Sequence, residues 1–371
     1  MASYRQRANK TWEVTIDIGR NPVTGKRMRK FKGGFKTKKE AITFANSFSV
    51  DVANGLNVID NKILLKDFIM SWYDDYKSKT LSMNTKTSYK SRINNYIIPY
   101  LGHIQLNKLN NATVQGFYNE LLKQNLKPNS IKKIIEVLNG CYKYAKKMNL
   151  VNNIPTDIET VKEEKVQTIV WDEDELKFFI SELKDTWLYL PTLIIAFTGL
   201  RIGELCGLRW VNIDLDAGIL HVREQALNDK ENHSLVHTSI LKTNSASRSI
   251  SIPKNLVHIL TIHKKEQNNA SEFVICDDRN NMCNPRNVSM RFTKKVSKYK
   301  NNEFRNLPQI SIHGLRHTHA TILLLKGENI KVISERLGHT SVKITLDTYS
   351  HVLPSMRQKT ADLLDSMFTD L

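Results

Sequence analysis

Residues 154–168, Ile-Pro-Thr-Asp-Ile-Glu-Thr-Val-Lys-Glu-Glu-Lys-Val-Gln-Thr, constrain the fold most. A stretch so polar has little apolar surface to bury, so it reads as an interdomain linker. It divides a chain of 371 residues, already long for one domain. The apolar pattern changes character along the chain. Thr11-Trp12-Glu13-Val14-Thr15-Ile16-Asp17-Ile18 alternates with period two, turn-forming Asn21-Pro22-Val23-Thr24-Gly25 follows, and Arg27–Phe31 can pair back. Thr37, with Glu40 three residues on, caps a helix that should end near Ala53.

From residue 64 to 153 the period is helical. Leu65, Phe68, Ile69, Trp72, Tyr73 and Tyr76 recur at three and four, which predicts one core-facing stripe. Ser82 and Asn84 offer caps before Thr85–Ile97, Thr113 caps Val114–Gln124, and Pro128 opens a helix reaching Lys147. Beyond 168 helices and short strands mix. A helix starts near Asp172, two helices flank Gly199, and strands are expected at Leu220–Val222, Ile240-Leu241 and Ser249–Ile252. The expected fold is multidomain and mainly α. It comprises a small three-stranded sheet plus helix (1–58), a helical bundle (64–153), the linker (154–168) and a mixed α/β domain (169–371).

Charge points to the partner. The formal net charge is +18, and residues 1–58 carry twelve basic residues against four acids. A balance that basic suits a polyanion, and a sheet edged with Arg and Lys fits a major groove. Candidate DNA contacts are Arg5, Arg7, Lys26, Arg27, Arg29, Lys30 and Lys32 in the first segment, and Lys86, Lys90, Arg92, Lys132 and Lys133 in the second. Cys141, Cys206, Cys276 and Cys283 show no zinc-site spacing, which fits a reduced compartment. With no signal-like or membrane-length apolar run, a cytoplasmic protein is expected where the DNA is.

Six further positions, Arg201, Lys242, His313, Arg316, His339 and Tyr349, bear on chemistry. Gly199 allows a tight turn that presents Arg201 at the next helix start, where Glu204 can hold it; a surface ion pair is the alternative. Lys242 precedes a polar hairpin tip, where it could reach a DNA end, but taken alone it reads as a solvated lysine. His313 and Arg316 share a helix face, and His317 orients neighbours or packs. A zinc pair at His313 and His317 is rejected, because a zinc hydrolase needs a glutamate inside the pair and here a cation, Arg316, occupies that stretch. Gly338 ends a helix and leaves His339 at a junction, ten residues before Tyr349. A lone tyrosine is usually structural, and its hydroxyl, with an ordinary pKa near about 10, is a poor nucleophile.

In this order, Thr-Gly-Leu-Arg201-Ile-Gly-Glu-Leu, Lys242, His313-x-x-Arg316, Leu-Gly-His339 and Tyr349 resemble the tyrosine recombinase, or phage integrase, family. The resemblance implies site-specific recombination that integrates and excises a mobile element through a 3′-phosphotyrosine, with no cofactor and no metal. It implies Tyr349 as nucleophile, Arg201 and Arg316 as the phosphate clamp, and Lys242 as acid to the leaving 5′-oxygen. His313 would be general base for Tyr349, and His339 would hydrogen-bond the phosphate. Segment 1–58 is similar to an arm-type DNA-binding domain and 64–153 to a core-binding domain. The implied partners are double-stranded DNA at core and arm sites, three further copies of the chain held through the amphipathic tail 360–371 (whose apolar stripe is as well read as packing on its own domain), an excisionase and a host DNA-bending protein. The implied location is the bacterial nucleoid. A type IB topoisomerase shares this chemistry but needs no separate basic module, and a DNA-binding regulator would not need the full set.

Overall fold

The computed structural model describes residues 2–20, 27–53, 63–151, 153–162, 168–229, 234–239, 247–301, 306–349 and 365. The chain forms two compact units, Met1–Glu164 and Lys165–Leu371.

The first unit opens with an antiparallel sheet in the order β1 (Ala2–Gln6), β2 (Trp12–Arg20), β3 (Arg27–Phe35). β1 lacks the alternation of β2 and was not distinguished by position in the sequence. Helix α1 (Lys38–Ala53) covers one face. Its start matches the expected cap: the Glu40 N–H donates to Thr37 Oγ1 at 3.2 Å, while the Glu40 carboxylate accepts from the Lys36 N–H at 2.9 Å. Val14 and Ile16 are buried with Ala41, Ala45 and Phe48. The turn expected at 21–25 lies outside the described residues.

The helical part comprises α2 (Leu65–Ser71), α3 (Met83–Arg92), α4 (Ile98–Leu101), α5 (Asn111–Lys123) and α6 (Pro128–Lys147). The stripe predicted from Leu65 holds as far as Tyr73 and then fails. Trp72–Lys77 winds as a π-helix, which advances the face by an extra residue per turn. Tyr76 therefore turns outward, 48% exposed, and stacks on Tyr144 at 4.8 Å between ring centroids. Two expected caps are corrected. Asn84 lies inside α3, whose N-cap position is Ser82. Thr113 lies inside the first turn of α5, where Asn110 accepts from its N–H at 2.9 Å. In each case a polar residue two or three positions earlier holds the cap position. The first half of the linker is laid along α5: Gln115 exchanges hydrogen bonds with the Glu159 backbone, and Tyr118 Oη accepts from the Val161 N–H at 2.9 Å.

The second unit starts with Trp171, buried, its N–H donating to Thr318 Oγ1 at 3.1 Å and its indole to the Pro308 carbonyl at 2.8 Å. Asp172 and Glu175 form a reciprocal cap on α7 (Glu173–Ser181). Then come α8 (Tyr189–Thr198), α9 (Ile202–Cys206), β4 (Ile213–Asp214), β5 (Ile219–Val222), β6 (Gln225–Asp229), β7 (Ser234–Thr238) and β8 (Arg248–Ser251). One sheet has the order β4-β5-β8, and β6 pairs with β7 as a hairpin that the sequence did not suggest. The strand expected at Ile240-Leu241 lies outside the described residues. The remainder is helical: α10 (Lys254–Gln267), α11 (Pro285–Ser297), α12 (Ile312–Leu325), α13 (Ile330–Leu337) and α14 (Val342–Tyr349). Helices α8 and α12 cross the core, and α13 with α14 closes a small cluster of Ala320, Leu324, Ile333, Leu337 and Tyr349.

Candidate active site

Two glycines set the stage. Gly199 ends α8 at φ 66°, and a Cβ there would meet His319 Cδ2 and Leu337 Cδ2 at 2.8 Å. Neither the conformation nor the space admits a side chain. The chain turns at once, and Arg201 begins α9. Gly338 ends α13 in the same left-handed conformation, at φ 66°.

Around the end of α13 three guanidiniums converge on three successive carbonyls. Arg248 Nε donates to the Arg336 oxygen at 2.6 Å, Arg316 Nη2 to Leu337 at 2.5 Å, and Arg201 Nη2 to Gly338 at 3.3 Å. A helix C-terminus carries unpaired carbonyls and the negative end of the dipole, so it is a natural seat for cations. Arg316, 2% exposed, also donates to the Gly199 carbonyl at 2.6 Å. Burial, then the neighbouring Arg201 charge, pushes its pKa down to about 9, which leaves it cationic at neutral pH.

Glu204 is the counter-charge. It is 3% exposed and accepts from Arg201 at 2.8 Å and from Arg248 Nη1 and Nη2 at 3.2 and 2.9 Å. Its other bond, from the Arg201 N–H at 2.9 Å, caps α9. Burial opposes its charge, yet hydrogen bonds and the charges of Arg248 and Arg201 hold its pKa below the usual carboxylate value. The partnership of Arg201 with Glu204 is therefore a half-buried one, not a surface pair.

Arg248 was missed in the sequence, where it passed as part of a polar tip. The signal was present: in β8 it alternates with Ile250, which is buried, so both belong to the inward face. Arg336 was missed as well. Its guanidinium reaches the carbonyls of Ser251 and Phe197 at 3.0 and 2.6 Å and His319 Nε2 at 3.2 Å, tying α13 to β8 and α8.

The histidines sort into distinct environments. His339 pairs Nδ1 with Thr345 Oγ1 at 2.8 Å; burial, then the charges of Arg316, Arg201 and Arg248, lower its pKa to about 4. It is neutral at neutral pH. His313 is exposed, but desolvation by the surrounding protein, followed by the Arg316 and Arg201 charges, lowers its pKa. Its ring meets that of His317 edge-on at 4.9 Å. His317 in turn places Nδ1 2.9 Å from Tyr349 Oη. Tyr349 is 1% exposed, and burial raises its pKa to about 12, with Arg316 pulling the other way.

The structure thus brings together Arg201, His313, Arg316, His339 and Tyr349. Lys242 and the tail 360–371, as a helix, lie outside the described residues. Among those residues, no group of three His, Cys, Asp or Glu side chains could hold a metal ion.

The first unit's basic residues divide by face. Register pairs Arg5 with Glu13 and Arg29 with Asp17, on the side away from Val14 and Ile16, where Phe31 is 67% exposed. Lys30 and Lys32 pair with Ile16 and Val14 on the helix-covered side, and Lys32 Nζ sits 4.3 Å from the Phe44 ring centroid. Arg7 is ion-paired with Glu13 at 2.6 Å. Lys26 and the side chain of Arg27 lie outside the described residues. Lys86 and Arg92 are half-buried on α3, Lys90 is exposed there, and Lys132 and Lys133 are exposed on α6.

Residues 169–356 match the phage integrase family, 64–122 its N-terminal SAM-like domain and 2–52 an arm DNA-binding domain. A relative from Caldanaerobacter subterraneus subsp. tengcongensis, a tyrosine recombinase XerC-like protein, is 27% identical over 99% of this chain and 98% of its own length. The Tn1549 transposon integrase in complex with a circular intermediate DNA has a similar fold. The match has a TM-score of 0.72 and 18% identity, covering 81% of this chain and 99% of that one. A lambda integrase tetramer bound to a Holliday junction matches at a TM-score of 0.58 and 21% identity, over 91% and 95% of the two chains. The chain belongs to the phage integrase family, the tyrosine recombinases, enzymes that cleave and rejoin DNA in site-specific recombination. No helix among the described residues is long and apolar enough to cross a membrane.

Proposed function

We propose that this integrase cuts DNA with Tyr349 while Arg201 and Arg316 clamp the scissile phosphate. The convergence of the arginines on the end of α13, one residue before His339, carries the reading. Guanidiniums suit the non-bridging oxygens, and they matter most when charge builds in the pentacoordinate transition state. His339, held neutral, donates a hydrogen bond to the phosphate. His313 stands on the exposed rim of the same face as Arg316. Lys242 protonates the leaving 5′-oxygen, and the 3′-phosphotyrosine keeps the bond energy for religation.

The arm-type domain (1–58) offers its open sheet face, with Arg5, Arg29 and Phe31, to one DNA site. The helical core-binding domain (64–153) and the catalytic domain (169–371) take the core site, with Lys90, Lys132 and Lys133 on backbone phosphates. Four copies assemble on DNA through the tail 360–371, with an excisionase and a DNA-bending protein as accessory partners, on the bacterial nucleoid. The test is a nicked suicide duplex spanning the end of the element that encodes the chain. The wild-type protein is expected to form a covalent adduct that is absent with Tyr349→Phe. An adduct that persists in the variant would sink the assignment.

A further inference from the structure

Tyr349 is buried, and its hydroxyl is no easier to ionise than free phenol; burial makes it harder. A nucleophile in that state needs a proton acceptor within hydrogen-bond reach. Among the described residues, the group within reach is His317, with Nδ1 2.9 Å from Oη, and not His313, whose ring adjoins His317 instead. Both histidines lie on α12, which also carries Arg316, while Tyr349 ends α14 and closes the cluster with Leu337 and Leu324. Among the described residues, the titratable groups that meet His317 include His313 on its own helix, Tyr349, and His339, whose pKa it influences.

We propose that His317 is a further catalytic residue, the general base that takes the Tyr349 proton. The step balances. In the neutral ring protonated at Nε2, Nδ1 accepts the hydroxyl hydrogen as the Oη–H bond breaks and the Oη–P bond forms. The P–O5′ bond breaks, and the departing 5′-oxygen takes its proton from the acid assigned to Lys242. In religation the 5′-hydroxyl attacks phosphorus and returns its proton to the neutral amine assigned to Lys242, while Tyr349 leaves and recovers its proton from the His317 imidazolium. His313 is thereby released to face the phosphate beside Arg316.

The inference rests on the recombinase reading, and the experiment separates the two. Full-length protein is tested in single-turnover cleavage of the suicide duplex as wild type, His317→Ala and His317→Asn, each with tyrosine or the more acidic 3,5-difluorotyrosine at position 349. No adduct from the wild type would remove the recombinase reading itself. If His317 is the base, His317→Ala cleaves about 10²-fold more slowly or worse, the size of a lost general base. His317→Asn, which can hold the hydroxyl but not take its proton, is equally slow. Difluorotyrosine restores most of the rate in both, and the limb of the wild-type profile that rises with pH is missing from both. Wild-type or faster cleavage by His317→Ala overturns the proposal, the faster result meaning that His317 merely holds Tyr349 in place. Rescue by Asn, or no recovery with difluorotyrosine in a variant that still melts and binds DNA as wild type, overturns it too.

Discussion

The helical core of the first unit is filled by Ile69, Ile93, Leu121 and Leu138 with aromatic rings, while the second unit buries Glu204, Arg316, Thr318, His319 and Thr345 beside its leucines. Among the described residues, every buried Ser, Thr, Asn, Asp, Glu, Arg and His side chain belongs to the second unit. An apolar core needs volume and shape, and several sets of residues supply them. A polar one is tied to position, because each buried group must find its partner. The first unit's core leaves its residues interchangeable, whereas the second accepts costly burial to hold its charges in fixed places.

The contrast can be broken most sharply by matched losses of stability. Glu204→Gln leaves Arg201 and Arg248 facing a neutral amide and should cost about 3–5 kcal/mol. Cleavage should fall about 10²-fold or more as Arg201 loses its anchor. Leu138→Ala in the first unit should cost about 2–5 kcal/mol through the cavity it leaves. Cleavage by the DNA-bound protein should be unchanged. Denaturant unfolding and single-turnover cleavage check both; equal loss of chemistry in the two variants would erase the distinction.

Acid should expose the same difference. His319 and His339 have folded-state pKa values of about 4, below the ordinary value near 6.5. The unfolded chain therefore binds their protons first. Their contribution is complete above about pH 6.5 and is lost as the pH falls toward about 4. Calorimetry of the full chain should show the second unit's transition dropping between pH 7 and pH 5 by more than the first unit's. A common shift would mean that acid acts through something other than these histidines.

The smallest effect should lie on the sheet surface. Glu13→Gln removes the exposed ion pair with Arg7, worth about 1 kcal/mol or less. A larger drop in melting temperature than Glu204→Gln gives would invert the comparison.

The sequence carried the site further than it carried the packing. Arg201, Arg316, His339 and Tyr349 stood out because turn glycines and helix periods fix where they point, and the order of such residues is unusual. Arg248 escaped because its polar neighbours hid a strand of only four residues. The partner of Tyr349 escaped because His313 and His317 share a helix face, and periodicity cannot tell which of them meets α14. Tyr76 was misplaced because a π-helical turn leaves no mark on the apolar pattern that precedes it.

The seating of three arginines on successive carbonyls of α13 has a thermodynamic consequence. A free arginine side chain forfeits about 2 kcal/mol of rotamer entropy when fixed. Here that loss falls when the chain folds, before any DNA arrives. These three side chains are preorganised, so a ligand that met them would order none of the three, and its binding energy would not be drawn on for that. Shifting the end of α13 by one residue would rotate all three carbonyls by about 100° at once, and the preorganisation would vanish together rather than by thirds.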